Sequence, residues 1–132
     1  MKRPVISLSN LELEVMRLIW RDGEVIVPDL HQEMARDRDI SYATVKTVVN
    51  RLEEKGAIER IRTYGRTILY GPIIKESTLA RPIVRDVMRR LFGGEARPMI
   101  SHLLKAEELS LEDLEYLESQ LSEKRQQLEK KQ

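Results

Sequence analysis

Cysteine is absent from this chain of 132 residues, and aromatic residues make up only 5% of it. Without a thiol, the chain can form neither a disulfide framework nor a cysteine metal site. No apolar run is long enough to span a membrane, and the N-terminus lacks the apolar stretch of a signal peptide. We therefore expect a cytoplasmic protein with one modest core.

The sequence also lacks the motifs of common catalytic sites. It contains no glycine-rich phosphate loop, no nucleophile elbow and no metalloprotease motif. His31 and His102 are the only histidines, and neither has a second histidine three or four residues away. Paired acids such as Glu112 and Asp113 suit a helix N-terminus, where negative charge is favoured. We expect no enzyme, no metal ion and no cofactor.

Charge is unevenly distributed along the chain, although the net charge is only +1. Residues 1–40 contain six Lys or Arg and eight Asp or Glu, whereas residues 41–70 contain six and three. The basic residues of the second segment are Lys46, Arg51, Lys55, Arg60, Arg62 and Arg66. A local basic surface of this kind is typical of nucleic-acid binding, although it also fits a solvated face with no partner.

The stretch TVKTVVN, residues 44–50, contains five β-branched residues and by propensity alone favours a strand. The apolar residues nevertheless recur at helical spacing: Val45, Val48, Val49 and Leu52. Ser41 can cap the start of a helix, and Gly56 stands where a helix commonly ends. Because β-branching costs a helix only about a few tenths of a kcal/mol per residue, we predict a helix over residues 41–55.

Two helices are predicted before this segment and a β-hairpin after it. Ser9 and Glu12 form a capping box for the first helix, and Pro28 suits the first turn of the second. Two strand-like runs, 57–63 and 66–70, flank a Tyr-Gly turn. The pattern predicts a mainly α protein with a small β-hairpin wing, in which residues 1–72 form a winged helix-turn-helix DNA-binding domain.

In that layout the third helix enters the major groove and the wing reaches the DNA backbone. The residues of the third helix predicted to face DNA are Tyr42, Ala43, Thr44, Lys46, Thr47, Asn50 and Arg51. Those of the wing and backbone contacts are Arg60, Arg62 and Arg66. Thr and Asn can read base edges, and Arg can neutralise phosphates. A winged helix that binds a protein instead remains an alternative, because a fold does not fix a function.

Residues 75–132 are predicted to form a helical dimerisation domain. Pro82 either kinks its first helix or lies near the start of that helix, and Ser110 with Asp113 caps the last one. Apolar residues at helical spacing are expected to form the dimer contact: Leu79, Ile83, Val87, Leu91, Leu103, Leu104, Leu114, Leu117 and Leu121. They could instead pack on the winged domain. Dimerisation is favoured because so small a helical segment gains a core from a second copy.

Several stretches resemble the penicillinase repressor family: LSNLELEVMRLIW, SYATVKTVVNRLEEKG, the GRxxxY of Gly65 to Tyr70, and HLLKAEELSLEDLEYL. The resemblance implies a homodimeric winged-helix repressor that binds palindromic operators, often with TACA/TGTA half-sites, upstream of β-lactamase or similar stress genes. It also implies release when signalling from a membrane-bound sensor metalloprotease leads to cleavage in the C-terminal domain.

The resemblance further assigns roles to individual residues. It places recognition contacts on Thr44, Lys46 and Thr47, with Arg51 and Arg66 near phosphate. The cleavable bond would be His102–Leu103, where the antibiotic-resistance members have Asn-Phe. The copper-responsive branch carries a cysteine-rich metal motif, so the absence of cysteine excludes that mode of induction. A ligand-sensing regulator of the multidrug-resistance type is a further alternative, but such proteins usually also dimerise through a helix before the DNA-binding unit.

Overall fold

A computed structural model describes residues 7–106 and 108–131 of the chain. Three helices precede a two-stranded antiparallel hairpin, and three helices follow it. The elements are α1 Asn10–Asp22, α2 Val27–Met34, α3 Tyr42–Glu54, β1 Ile58–Tyr64, β2 Thr67–Pro72, α4 Glu76–Phe92, α5 Ala96–Ala106 and α6 Leu111–Lys130. The predicted mainly α winged helix-turn-helix is confirmed. Within the described residues, no helix has the length and apolarity needed to cross a membrane.

Helix α1 begins with the predicted capping box. The Ser9 hydroxyl accepts a hydrogen bond from the Glu12 amide at 3.2 Å, and the Glu12 carboxylate accepts one from the Ser9 amide at 3.0 Å. The helix ends at Gly23, whose φ of 85° lies in the region that favours glycine. The Gly23 amide donates to the Ile19 carbonyl at 2.7 Å, which satisfies one of the last helical carbonyls.

Helix α3 resolves the conflict between propensity and periodicity in favour of periodicity. Ser41 caps it by accepting a hydrogen bond from the Thr44 amide at 3.1 Å. The four apolar residues at helical spacing are buried: Val45, Val48, Val49 and Leu52. Burial of this stripe against α1 and α2 outweighs the small intrinsic cost of β-branched residues in a helix. The predicted helix over residues 41–55 is confirmed, with Ser41 and Lys55 as its caps.

The hairpin, which we call the wing, contains a bulge that explains its imperfect alternation. Arg60 pairs with Tyr70, but Arg62 pairs with Leu69, so Ile61 is the extra residue. A Cβ added at Gly71 would lie 2.9 Å from the Cδ1 atom of Ile61, so the bulged side chain uses the space that glycine leaves. The strand β2 runs through Gly71 and Pro72, which the sequence pattern had placed after it.

The buried apolar residues of the first three helices, the wing and their connections form one core. They are Val15, Met16, Ile19, Val25, Val27, Leu30, Met34, Val45, Val48, Val49, Leu52, Ala57, Ile58 and Tyr70. Ile74 packs against this core, and the Trp20 indole donates to its carbonyl at 2.8 Å. The segment that follows the wing therefore contributes to the same core.

Glu12 is the one buried charged residue among those described. The Lys55 ammonium lies 2.8 Å from each of its carboxylate oxygens, and it donates to the Ser7 carbonyl at 2.8 Å as well. Burial of Glu12 alone would raise its pKa. The hydrogen bonds from Lys55 and from Ser9 outweigh that effect, and the pKa of Glu12 lies below its ordinary value. The pair joins the start of α1 to the end of α3.

The chain divides into two compact units, Met1–Pro82 and Ile83–Gln132. The division falls inside α4, which continues through Pro82 rather than starting after it. Helix α6 begins with the predicted capping box of Ser110 and Asp113. In the second unit, every described residue is half-buried or exposed. The predicted domain boundary between residues 72 and 75 stays a prediction.

Candidate nucleic-acid interface

The outward side of α3 carries the residues predicted to face DNA. Six of them are exposed, namely Tyr42, Ala43, Thr44, Thr47, Asn50 and Arg51, and Lys46 is half-buried. They occupy this side because the valines and Leu52 turn the opposite side into the core. The first acidic residue of the helix is Glu53 in its last turn. We call this exposed, acid-free surface the α3 face.

Two threonine hydroxyls on the α3 face already have partners within the helix. The Thr47 hydroxyl donates to the Ala43 carbonyl at 2.9 Å, and the Thr44 hydroxyl lies 2.8 Å from that of Ser41. Because the Thr47 proton is directed at its own helix, its methyl group and oxygen lone pairs remain for other contacts. Both threonines are thus held in defined rotamers before any partner arrives.

The three predicted wing arginines lie in different environments. Arg60 pairs with Glu53 at 2.7 Å, and this hydrogen bond raises the pKa of its guanidinium. The Arg62 guanidinium donates to the Tyr64 hydroxyl at 3.1 Å. Arg66 lies in the turn of the wing and forms no ion pair with any residue that the structure describes. Of the three, only Arg60 has its charge paired with an acid among the described residues.

A cleft of about 100 Å³ lies between α3, the first turn of α2 and the wing. Its polar lining consists of Tyr42, Lys46, Arg66, Thr67 and Tyr70, and the rest of its lining is apolar. The Lys46 ammonium lies 3.3 Å from the Tyr70 hydroxyl and 5.6 Å from the centre of its ring. The structure therefore brings Lys46 of α3 and Arg66 of the wing to the same cleft. Tyr70 is part of the GRxxxY motif, but the sequence analysis assigned no role to it.

The histidines have structural partners in their own units. The His31 Nε2 atom lies 2.9 Å from the Ile40 carbonyl, and its ring meets that of Tyr42 edge-on with centroids 5.8 Å apart. His31 thereby links α2 to the start of α3. The centroid of the His102 ring lies 5.6 Å from the centroid of the Phe92 ring. Across the described ranges, no three histidine or acidic side chains lie close enough to hold a metal ion.

The residues predicted for dimerisation fall in both units. Leu79 is half-buried in the first unit, and the other eight lie in the second. Among those eight, Leu91 is 72% exposed and Leu121 is 60% exposed, whereas Leu117 is half-buried. The predicted cleavage bond, His102–Leu103, lies inside α5, and both of its residues are exposed. The assignments of individual residues to DNA, dimer and cleavage stay predictions.

Comparison with known proteins identifies the family. The sequence profile described as penicillinase repressor matches residues 8–123. The penicillinase repressor of Bacillus licheniformis is 28% identical over 121 residues, covering 92% of this chain and 94% of the relative. The methicillin resistance regulatory protein MecI of Staphylococcus aureus (strain N315) is 24% identical over 124 residues, covering 94% and 100%.

A solved structure supports the same assignment. The solution structure of the DNA binding domain of the repressor BlaI is similar to this chain with a TM-score of 0.51 and 32% identity. The match covers 58% of this chain and 92% of that structure. Together with the winged helix-turn-helix fold and a profile match over most of the sequence, these similarities confirm the resemblance that the motifs indicated: the chain belongs to the penicillinase repressor family.

Proposed function

We propose that this protein is a sequence-specific DNA-binding repressor that acts as a homodimer on a palindromic operator. The observation that carries the proposal is the exposed, acid-free α3 face beside Arg66 of the wing. Relatives over nearly the whole chain are named penicillinase repressor and methicillin resistance regulatory protein, and the similar solved structure is described as a DNA binding domain. We propose no catalytic activity for the chain.

In this proposal α3 enters the major groove and the wing meets the backbone. Thr47 and Asn50 provide the base contacts, since a threonine methyl suits thymine and an asparagine amide suits adenine. Arg66 neutralises a phosphate, which holds the protein in register without reading sequence. The stiff threonines lose little rotamer freedom on binding because the helix has already fixed them.

The first test compares the binding of wild type to its own upstream DNA and to a scrambled duplex of equal length. We expect Thr47→Ala to weaken operator binding selectively, by about 1–3 kcal/mol. Thr47→Ser and Thr47→Val then separate the hydroxyl from the methyl group. Arg66→Ala should weaken binding to both duplexes and reduce the salt slope by about one.

Arg36→Ala is the matched control, because Arg36 pairs with Glu33 of α2 and lies outside the α3 face. It removes the same charge as Arg66→Ala but should leave the affinity for both duplexes and the salt slope close to those of wild type. If Thr47→Ala and Arg66→Ala both bound DNA like wild type, the assignment of α3 to the groove would fail. If wild type showed no preference for its upstream DNA, a protein-binding adaptor would be the better reading.

Homodimerisation through the C-terminal helices would make DNA binding bivalent, so two weak half-site contacts reinforce each other. Support comes from the exposed apolar stripe of the second unit, which has no buried residue of its own among those described. Sedimentation velocity tests this directly. A monomer at tens of micromolar would contradict the dimer. A chain cut after Pro82 should remain folded and monomeric and bind the operator much more weakly.

Such a repressor works where the chromosome lies, so we place it in the cytoplasm. We further propose release by cleavage between His102 and Leu103 after signalling from a membrane-bound sensor metalloprotease. Both residues are exposed, but the bond lies within α5, so that helix must open locally before a protease can cut it. Mass spectrometry of the repressor from induced cells should find a fragment ending at His102. An intact chain throughout induction would contradict this step.

A further inference from the structure

Tyr70 is the one polar residue of the GRxxxY motif that the proposed function leaves without a task. We propose that Tyr70 is a positioning residue that holds Lys46 beside the wing, so that Lys46 and Arg66 together clamp one phosphodiester of the DNA backbone. The inference rests on the proposed function and assigns Lys46 to the backbone rather than to a base edge.

Tyr70 is fixed on every side before DNA arrives. Its side chain is fully buried. Its backbone exchanges two hydrogen bonds with Val25, at 2.8 and 2.9 Å, and it pairs with Arg60 across the wing. A residue whose side chain is buried in the core and whose backbone is bonded to the α1–α2 linker and the neighbouring strand cannot follow a flexible partner. Tyr70 therefore sets the position of Lys46, and not the reverse.

Lys46 is anchored to Tyr70 by a hydrogen bond. Its ammonium donates to the phenol oxygen at 3.3 Å and lies 5.6 Å from the ring centre, towards the hydroxyl end of the ring rather than over its face. An ammonium has three N–H donors, and the phenol takes one. The remaining donors are available at the cleft while the long side chain stays ordered.

The chemistry of the cleft suits a phosphodiester. Lys46 and Arg66 supply two positive charges, and Thr67 and Tyr42 add hydroxyl groups. None of the residues that line the cleft is acidic. Two cations from different elements converging on one anion would also fix the wing relative to α3 on DNA.

The test uses full-length Tyr70→Phe, Lys46→Met and the double variant, each titrated against operator and scrambled duplex over a salt series. Lys46→Met should weaken binding to both duplexes alike and lower the salt slope by about one. Tyr70→Phe should weaken both by about three- to tenfold, because Lys46 then loses its anchor. In the Lys46→Met background, Tyr70→Phe should change affinity by less than about twofold. Thermal unfolding of each variant reports its folding.

Three results would overturn the inference. They are wild-type affinity in Tyr70→Phe, an equal effect of Tyr70→Phe with and without Lys46, and a loss in Lys46→Met confined to the operator. If Tyr70→Phe unfolds at a lower temperature than wild type, the test uses Lys46→Met, Arg66→Ala and the variant that combines them. Because both cations would contact one phosphate, the fold-loss of DNA affinity in the combined variant should be smaller than the product of the two single fold-losses. When one of these results is found, the binding of wild type tells which proposal is wrong. If wild type also shows no operator preference, the proposed function fails too. If wild type prefers the operator, only the clamp fails.

Discussion

The two units of this chain begin from similar local signals and reach different outcomes. Each contains a helix that starts at a serine capping box, Ser9 in the first and Ser110 in the second. Fourteen of the described apolar residues in the first unit are buried in one core, whereas no described residue of the second unit is buried. Capping and periodicity therefore specify helices equally well in both units. The units differ in that the described residues of the second unit form no buried core of their own.

The largest expected effect on the free energy of unfolding comes from truncating a buried side chain in the core of the first unit. Leu52 is fully buried, and Leu52→Ala removes packing that the surrounding residues cannot fully recover. We expect it to lower the free energy of unfolding by about 2–5 kcal/mol in urea titrations. The matched variant is Leu121→Ala in α6, where the side chain is 60% exposed.

The two leucine variants should differ in kind as well as in size. The loss in Leu52→Ala should be independent of protein concentration. Leu121→Ala should instead weaken self-association in sedimentation experiments, with a loss of stability that grows at low concentration. Equal, concentration-independent losses would mean that the two units do not differ as proposed.

An intermediate effect is expected from the ion pair that joins α1 to α3. Lys55→Met leaves the buried Glu12 carboxylate without its cation, and the cost should be about 1–3 kcal/mol at pH 7. The folded-state pKa of Glu12 lies below its ordinary value. Its stabilisation is therefore present above the unfolded-state pKa, about 4.3, and is lost as the pH falls through the folded-state pKa.

Urea titrations of wild type and Lys55→Met at pH 7 and pH 4 measure this dependence. The difference between the two proteins should shrink at the lower pH. Glu12→Gln in the Lys55→Met background is the control, since it removes the carboxylate whose titration matters. A difference that stays constant with pH would assign the cost of Lys55→Met to lost packing rather than to charge.

The smallest expected effect uses the capping boxes that both units share. Ser9→Ala and Ser110→Ala each remove one side-chain cap and should each cost about 0.5–2 kcal/mol. Ser9→Ala should shift the unfolding of the first unit at any concentration. Ser110→Ala should act on α6 and so reduce helicity and self-association together. Circular dichroism combined with sedimentation separates these outcomes, and identical behaviour of the two variants would weaken the contrast between the units.

Sequence reasoning recovered those features that depend on period and local capping. The spacing of Val45, Val48, Val49 and Leu52 predicted both the helix and its buried side, and both capping boxes were found from residue type. The division at Pro82, by contrast, depends on packing across the chain, as does the contribution of Ile74 to the first core. No local pattern encodes such distant contacts.

The candidate site shows the same limit. The sequence predicted an outward, acid-free side of α3, and the structure places those residues there. The sequence alone did not show that Arg60 forms an ion pair with Glu53, whereas Arg66 has no such partner among the described residues. Nor could it tell that Lys46 rests on Tyr70, which lies 24 residues away in sequence. Such pairings follow from the tertiary arrangement of α3 and the wing, not from spacing along one element.

The bulge at Ile61 lets the wing contain one extra residue without changing the pairing on either side of it. Side chains of a strand alternate between its two faces, so an extra residue in a regular strand would reverse the facing of every residue that follows it. Because the bulge absorbs Ile61, Arg62 still pairs with Leu69 and Tyr64 with Thr67. Deleting Ile61 would keep these pairs and their faces, so the side chains that the wing presents depend on its pairing with β2 and not on the number of residues in β1.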